Sequence, residues 1–248
     1  LYEFLRGMEF NRLLSQAISF YGEPDNKDFD AEIKSKKISM IDTKSYKSIL
    51  KEKELDKLIK ELNKKTVIAV DTETSSLNPQ EAELIGISIC YAANVSFYIP
   101  LGHKDTKGLT KEFVIKKLKI ILEDSSIKKV GQNLKYDFII FKKHGVELNS
   151  VEDTMLLSYT LDAGNNRHNM DILSEIHLGH KTISYKDLVG TGKKQLNFSD
   201  IDLKSATEYA AEDADITLRL YDVLSERVSD EKLSKIYEIF EKPMIKIL

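Results

Sequence analysis

The chain has 248 residues, 42% hydrophobic and 31% charged, with a formal net charge of −3. That suits one well-buried domain with flanking pieces, and it speaks against coating nucleic acid by bulk positive charge, though not against an enzyme that meets it at a local site. Cys90 is the single cysteine, which excludes an internal disulfide and a cysteine-built zinc site. A single cysteine fits a cytoplasmic setting, and no apolar run approaches the ~18 residues of a membrane-spanning helix, so no transmembrane helix and no membrane partner are expected.

In chain order, Leu5, Met8, Leu13, Leu14 and Ile18 give residues 1–21 a helical stripe. Residues 22–36 are charged and aperiodic and read as a linker. Ser45 to Lys65 reads as a charged amphipathic helix. The period then changes: "TVIAV" is a short buried strand, and Leu84 to Ala92 and Val95 to Leu101 form a hairpin around "AAN". "KEFVIKKLKIILED" is a helix, and "IKKVGQ" is a strand that feeds the helix "NLKYDFIIFKKHG", closed by Gly145. "DTMLLSYTLDAG" is the next helix, with Asp153 as its N-cap and Gly164 near its stop, and "MDILSEIHLG" follows. Lys181 to Ser199 has weak structure. A long helix spans about Leu203 to Val228, and the tail to Leu248 is helical. Strands early with helices between and after predict an α/β fold, a mixed sheet covered by helices.

The chemistry gathers around "VIAVDTETSSL". Residues two apart on a strand share a face, so Asp71 and Glu73 leave the strand side by side. Two carboxylates that close repel unless a cation lies between them; a solvated turn is the plainer reading. The long helix adds an acid. Ala206, Tyr209, Asp213, Ile216, Leu220 and Leu224 fall on one stripe, apolar except for Asp213, and a buried aspartate is expensive without a partner. Tyr209 lies one turn before it, within reach. Asp215 reads instead as a solvated charge on a mixed face with Ala211 and Asp222. Asp137 shares a helix side with Leu134, Ile140 and Phe141. Four acids on three elements, with no histidine cluster, suit two hard divalent ions, Mg²⁺ or Mn²⁺, which together promote in-line phosphoryl displacement. His168, His177 and His180 are scattered and read as structural or surface residues.

"DTETSSL", "GQNLKYD" and "YAAEDAD" resemble, in order, the three motifs of the tyrosine-bearing branch of the DEDD exonucleases. The closer likeness is to the proofreading 3′–5′ exonuclease domain of bacterial family A DNA polymerases. "VEDTMLLSYTLDAG", "RHNMDILSE" and "HKTISYKDLVGTGKKQLNF" extend it. The resemblance implies a ribonuclease H-like fold and hydrolysis of nucleotides from DNA 3′ ends. It implies metal ligation by Asp71, Glu73, Asp137 and Asp213, with Asp71 bridging both ions and Asp137 reaching the second through water. Tyr209 would orient the attacking water with help from Glu73. Leu77 would wedge against the terminal base, where a turn-packing leucine is the alternative. Tyr185 would stack on a base, with core packing as the alternative; Gln132, Asn133 and Thr74 would touch the substrate backbone; and Arg167 would hold a phosphate, with a plain exposed arginine as the alternative. Asn133 has a second reading as a helix N-cap.

The resemblance also implies a layout. Residues 1–21 would be the end of a preceding 5′-nuclease domain, 37–230 the exonuclease, and 231–248 a helix leading into a polymerase domain. The chain is then expected to be a monomeric piece of a longer protein, with a single-stranded DNA 3′ end as partner. An RNA exonuclease of the ribonuclease D type and a catalytically silent spacer are the competing readings.

Overall fold

The computed structural model describes residues 40–192 and 195–247, together with Leu5, Leu13, Gln16, Ala17 and Tyr21. The expected helix and linker before Ser39 otherwise lie outside the described residues, in a unit of their own, Leu1–Ser39; all that follows concerns the unit Met40–Leu248.

Six strands form one mixed sheet: β1 (Lys47–Ser48), β2 (Val67–Thr74), β3 (Leu84–Ala92), β4 (Val95–Pro100), β5 (Lys128–Gly131) and β6 (Val151–Asp153), in the order β1-β4-β3-β2-β5-β6. β2, β3 and β4 run antiparallel, whereas β5 joins β2, and β6 joins β5, in parallel. The hairpin turn expected at "AAN" is there, with Asn94 taking the left-handed conformation (φ 62°) that a two-residue turn requires.

β2 is central and alternates. Ile68 and Val70 enter the large core, packed beneath α1 (Glu52–Leu62), α2 (Lys111–Leu122) and α3 (Lys135–Lys143). Ala69 enters a small cluster with Cys90, Ala214 and Leu218. Ala214 and Leu218 belong to α7 (Leu203–Asp230), which crosses β2, β3 and β4. Alanines 206, 210 and 214 are fully buried on α7, and their size lets the helix come close to the sheet. The far side of α7 is covered by α4 (Thr154–Asp162) and α5 (Met170–Leu178), where Ile216, Leu220 and Leu224 meet Leu157 and Leu173. α6 (Tyr185–Val189) is a single short helix.

Four expectations need correction. The helix expected over Ser45–Lys65 starts only at Glu52; the residues before it form a 3-10 turn (Thr43–Ser45) and β1, because β1 finds a partner in β4 and Ile49 N–H donates to the Tyr98 carbonyl. Lys181–Ser199 holds α6 and a 3-10 turn at Phe198–Asp200. The tail is not one helix but a short α turn, a π turn and a 3-10 turn, the last with Pro243 near its start. Asp215 is not solvated. It is fully buried, ion-paired to Arg219 at 3.0 Å, and accepts from the Tyr46 hydroxyl at 2.8 Å and from Asn94 N–H at 3.2 Å. A helix covered on both sides has no wet face near its middle, so a charge there must be paired.

Asp215→Ala removes the carboxylate that Arg219, Tyr46 and Asn94 share inside the protein. A loss of about 3–5 kcal/mol in unfolding free energy is expected. Urea titration measures it, and a loss below ~1 kcal/mol would show the pair to be dispensable.

Candidate active site

β2 delivers Asp71 and Glu73 on the face toward α7, and α7 delivers Asp213. One carboxylate oxygen from each lies within 4.8 Å of the others. Glu73 is buried, and Asp71 and Asp213 are half-buried, surrounded by protein but open to the cleft. The β2–β3 register sets Glu73 opposite Gly86, and a bulge at Glu73/Thr74 shifts the register so that Thr74 pairs with Leu84, placing the irregularity beside the site.

Burial pushes all these carboxyls up, and neighbouring carboxylates add to it. Asp71 rises through desolvation and Asp213, and Glu73 through desolvation, Asp71, Asp213 and Asp137. Asp213 is pushed up to about 8 by burial, against a lowering hydrogen bond from the Tyr209 hydroxyl. Asp137, at the start of α3, stands apart from the three. Its Oδ1 accepts from Thr72 N–H at 2.9 Å and from the Thr72 hydroxyl, while Asp71 repels it. Carboxylates raised by burial and by one another, converging with oxygen donors alone, fit a divalent cation of the hard, oxygen-preferring kind.

The acids sit in an open cleft of about 1010 Å³. Five of the six expected substrate contacts line it: Thr74, Leu77, Gln132, Asn133 and Tyr185. Leu77 is 96% exposed, so it is no turn-packing leucine. Tyr185 stacks nearly parallel on Phe198 (6.5 Å between centroids, 6° between planes) and tilts against Tyr209 at 5.9 Å. Gln132 is tied inward: its Nε2 donates to the His168 carbonyl at 2.7 Å, and its Oε1 accepts from the Thr154 hydroxyl at 2.5 Å. Arg167 is exposed and is not among the residues of the cleft wall.

Asn133 does not cap α3 through its side chain. It has φ 58°, and its N–H and that of Leu134 both donate to the Asp153 carboxylate, at 3.1 and 2.8 Å. Asp153 also accepts from Met155 N–H at 2.8 Å, as the N-cap expected of it. One buried carboxylate thus caps two helices, and the turn before α3 that presents Asp137 is held from β6.

The histidines are structural, as read. His168 Nδ1 is 2.9 Å from the Ser158 hydroxyl, His180 Nε2 is 2.9 Å from Glu212, and His177 is half-buried with its pKa lowered by desolvation. Tyr136, Phe198 and Glu212 escaped the sequence reading. Tyr136 and Phe198 line the cleft, and Glu212, 1% exposed, bonds His180 and the Ile183 N–H at 2.7 Å. Their only signal was adjacency to motif acids, in "KYD" and "AED", or aromatic character.

Comparison with known proteins agrees with this arrangement. The 3′–5′ exonuclease family model matches residues 46–229. DNA polymerase I of Rhizobium leguminosarum is 42% identical over 214 residues, covering 78% of this chain and 21% of the relative. The chain spans about a fifth of the length of the curated relatives it matches. Brucella melitensis NrnC superposes with TM-score 0.62 at 20% identity, over 81% of this chain and 88% of that one. Trypanosoma brucei RNase D superposes with TM-score 0.62 at 21% identity, over 75% and 66%. The expected ribonuclease H-like α/β fold is therefore present. With the family model matching residues 46–229, most of its length, the chain belongs to the 3′–5′ exonuclease family.

Proposed function

We propose that the domain removes nucleotides from single-stranded DNA 3′ ends with two divalent cations, Mg²⁺ or Mn²⁺, as the proofreading part of a bacterial DNA polymerase I. The convergence of Asp71, Glu73 and Asp213 beneath the cleft carries this reading. The 42% identity to a DNA polymerase I favours DNA over RNA as substrate. The layout expected for residues 1–21, 22–36, 37–230 and 231–248, with a 5′-nuclease before and a polymerase after, is part of this proposal; relatives of which the chain spans about a fifth support a longer parent protein. The bacterial DNA polymerase I relatives favour a cytoplasmic setting, and a monomer is part of the same proposal. Among the described residues no helix is long and apolar enough to cross a membrane.

Asp71, Glu73, Asp137 and Asp213 are the residues that would hold the cations. When bound, the cations activate a water and stabilise the leaving oxygen. The rest falls to the chain. The Tyr209 hydroxyl, already donating to Asp213, orients the attacking water. A phenol, with an ordinary pKa near ~10, is protonated at neutral pH and acts as a donor, not a base. Glu73 accepts from the same water. Tyr185 offers a ring face for a base, and Leu77 an apolar edge; aromatic faces hold single strands without regard to sequence. Thr74, Gln132 and Asn133 meet the sugar-phosphate backbone. Arg167, being outside the cleft wall, meets a phosphate further along the strand.

Two measurements test the reading. Digestion of end-labelled DNA and RNA of one sequence should release nucleotides from the DNA 3′ end at the higher rate; a preference for RNA would favour the ribonuclease D type. Mn²⁺ should raise the melting temperature, because it binds the folded acids only. At a hundred times Kd the gain is about 2.7 kcal/mol, or roughly 5–10 °C for a domain of this size. No shift at millimolar Mn²⁺ would leave a silent spacer.

A further inference from the structure

The loop between β2 and β3 carries Leu77, and it is built as a closed unit. Ser75 N–H donates to the Glu83 carbonyl at 3.0 Å, and Glu83 N–H donates back to the Ser75 hydroxyl at 2.9 Å, which closes the neck. Inside it, Glu81 and Ala82 N–H groups donate to the Asn78 carbonyl. Lys111 Nζ, 3.3 Å from Glu83, and Asn197 Nδ2, donating to the Ser75 carbonyl at 3.3 Å, tie its neck to the domain, and α3 ties the stretch around Leu77. The Tyr136 hydroxyl donates to the Ser76 carbonyl at 2.5 Å, on one side of Leu77. On the other side, Lys143 Nζ donates to three carbonyls, those of Pro79, Gln80 and Ala82, each at 2.9 Å. An ammonium has three donors, and here all three go to one loop.

The geometry points to Lys143 as a positioning residue for the exonuclease reaction: it holds the loop so that Leu77 stands at a fixed distance from the acids. α3 is the common frame, since it carries Asp137 six residues before Lys143. A leucine that is 96% exposed at the edge of a cleft has nothing of its own to hold it in place; its direction is set by the loop. Lys143 touches neither the acids nor the cleft wall, so it acts only through the loop. The inference rests on the proposed role of Leu77 as an apolar contact for the substrate.

A double-mutant cycle tests it, read as KM and kcat on a single-stranded DNA oligonucleotide. Leu77→Ala should raise KM roughly tenfold, the loss of one leucine's apolar contact, with kcat little changed. Lys143→Met, which keeps the stem and removes the three donors, should raise KM roughly three- to tenfold, since misplacing a contact loses part of its worth. The double variant should match Leu77→Ala within about twofold, because groups that act as one unit are not additive. Lys143→Arg, which keeps donors at that place, should stay near wild type. If Leu77→Ala leaves KM unchanged, the substrate role of Leu77 fails and the inference falls with it. If Leu77→Ala raises KM but Lys143→Met does not, or if Lys143→Met lowers activity equally in both backgrounds, Leu77 keeps its role and Lys143 loses its own. General destabilisation would act in both backgrounds alike, so it cannot imitate the expected result.

Discussion

Asp71→Ala is expected to stop nucleotide release while leaving the metal-free protein as stable as wild type or more so. The two effects have one cause. Asp71 converges with Glu73 and Asp213, and it is pushed up both by burial and by Asp213. Without a cation its charge is a liability, since it repels Glu73 and Asp137 as well. Its loss relieves that repulsion and opens no large cavity, because the side chain is half-buried at a cleft. With the cations the same carboxylate is the one proposed to bridge them, so its removal should cost at least ~1000-fold in rate, as for loss of a group that stabilises the transition state electrostatically. Single-turnover digestion of an end-labelled strand and a metal-free melting curve read the two halves. Turnover within tenfold of wild type would remove Asp71 from the site. A clear fall in the metal-free melting temperature would show that its carboxylate holds the fold together.

Tyr209→Phe should slow hydrolysis by roughly ten- to a thousandfold, in the range for loss of one positioned catalytic group. The ring packs against both Tyr185 (5.9 Å) and Phe198 (6.0 Å), and phenylalanine keeps that packing. Only the hydroxyl goes, with its hydrogen bond to Asp213. The melting-temperature rise with Mn²⁺ should therefore persist, and DNA affinity should stay close to wild type. Single-turnover digestion at saturating Mg²⁺ is the measurement. An unchanged rate would leave Tyr209 as a packing residue and Glu73 alone to orient the water.

Local periodicity made several site residues legible. Two acids at i and i+2 must share a face of a strand, and a tyrosine one helical turn before an aspartate must be able to meet it. Asp71 with Glu73, and Tyr209 with Asp213, are pairs of this kind, and the structure brings both to the cleft. The Asp153 N-cap and the Gly145 stop, at φ 72°, are local in the same way.

What only the tertiary structure decided is where each face goes. Asp213 and Asp215 are two residues apart on α7 and point to different sides. The apolar stripe suggested one buried face and one wet face, but the sheet, α4 and α5 cover α7 around its middle. Asp213 therefore opens on the cleft, while Asp215 is enclosed with Arg219 and Tyr46, the latter 169 positions away in sequence. The turn before α3 took its cap from Asp153, 20 residues on, and the loop that carries Leu77 took an anchor from Lys143, more than 60 residues on. Periodicity fixes a side chain's direction relative to its own element, but the cost of burying a charge is fixed by what packs against that element. In this chain that packing partner comes from distant sequence: β1 and the β3–β4 turn for Asp215, β6 for α3, and α3 for the loop that carries Leu77.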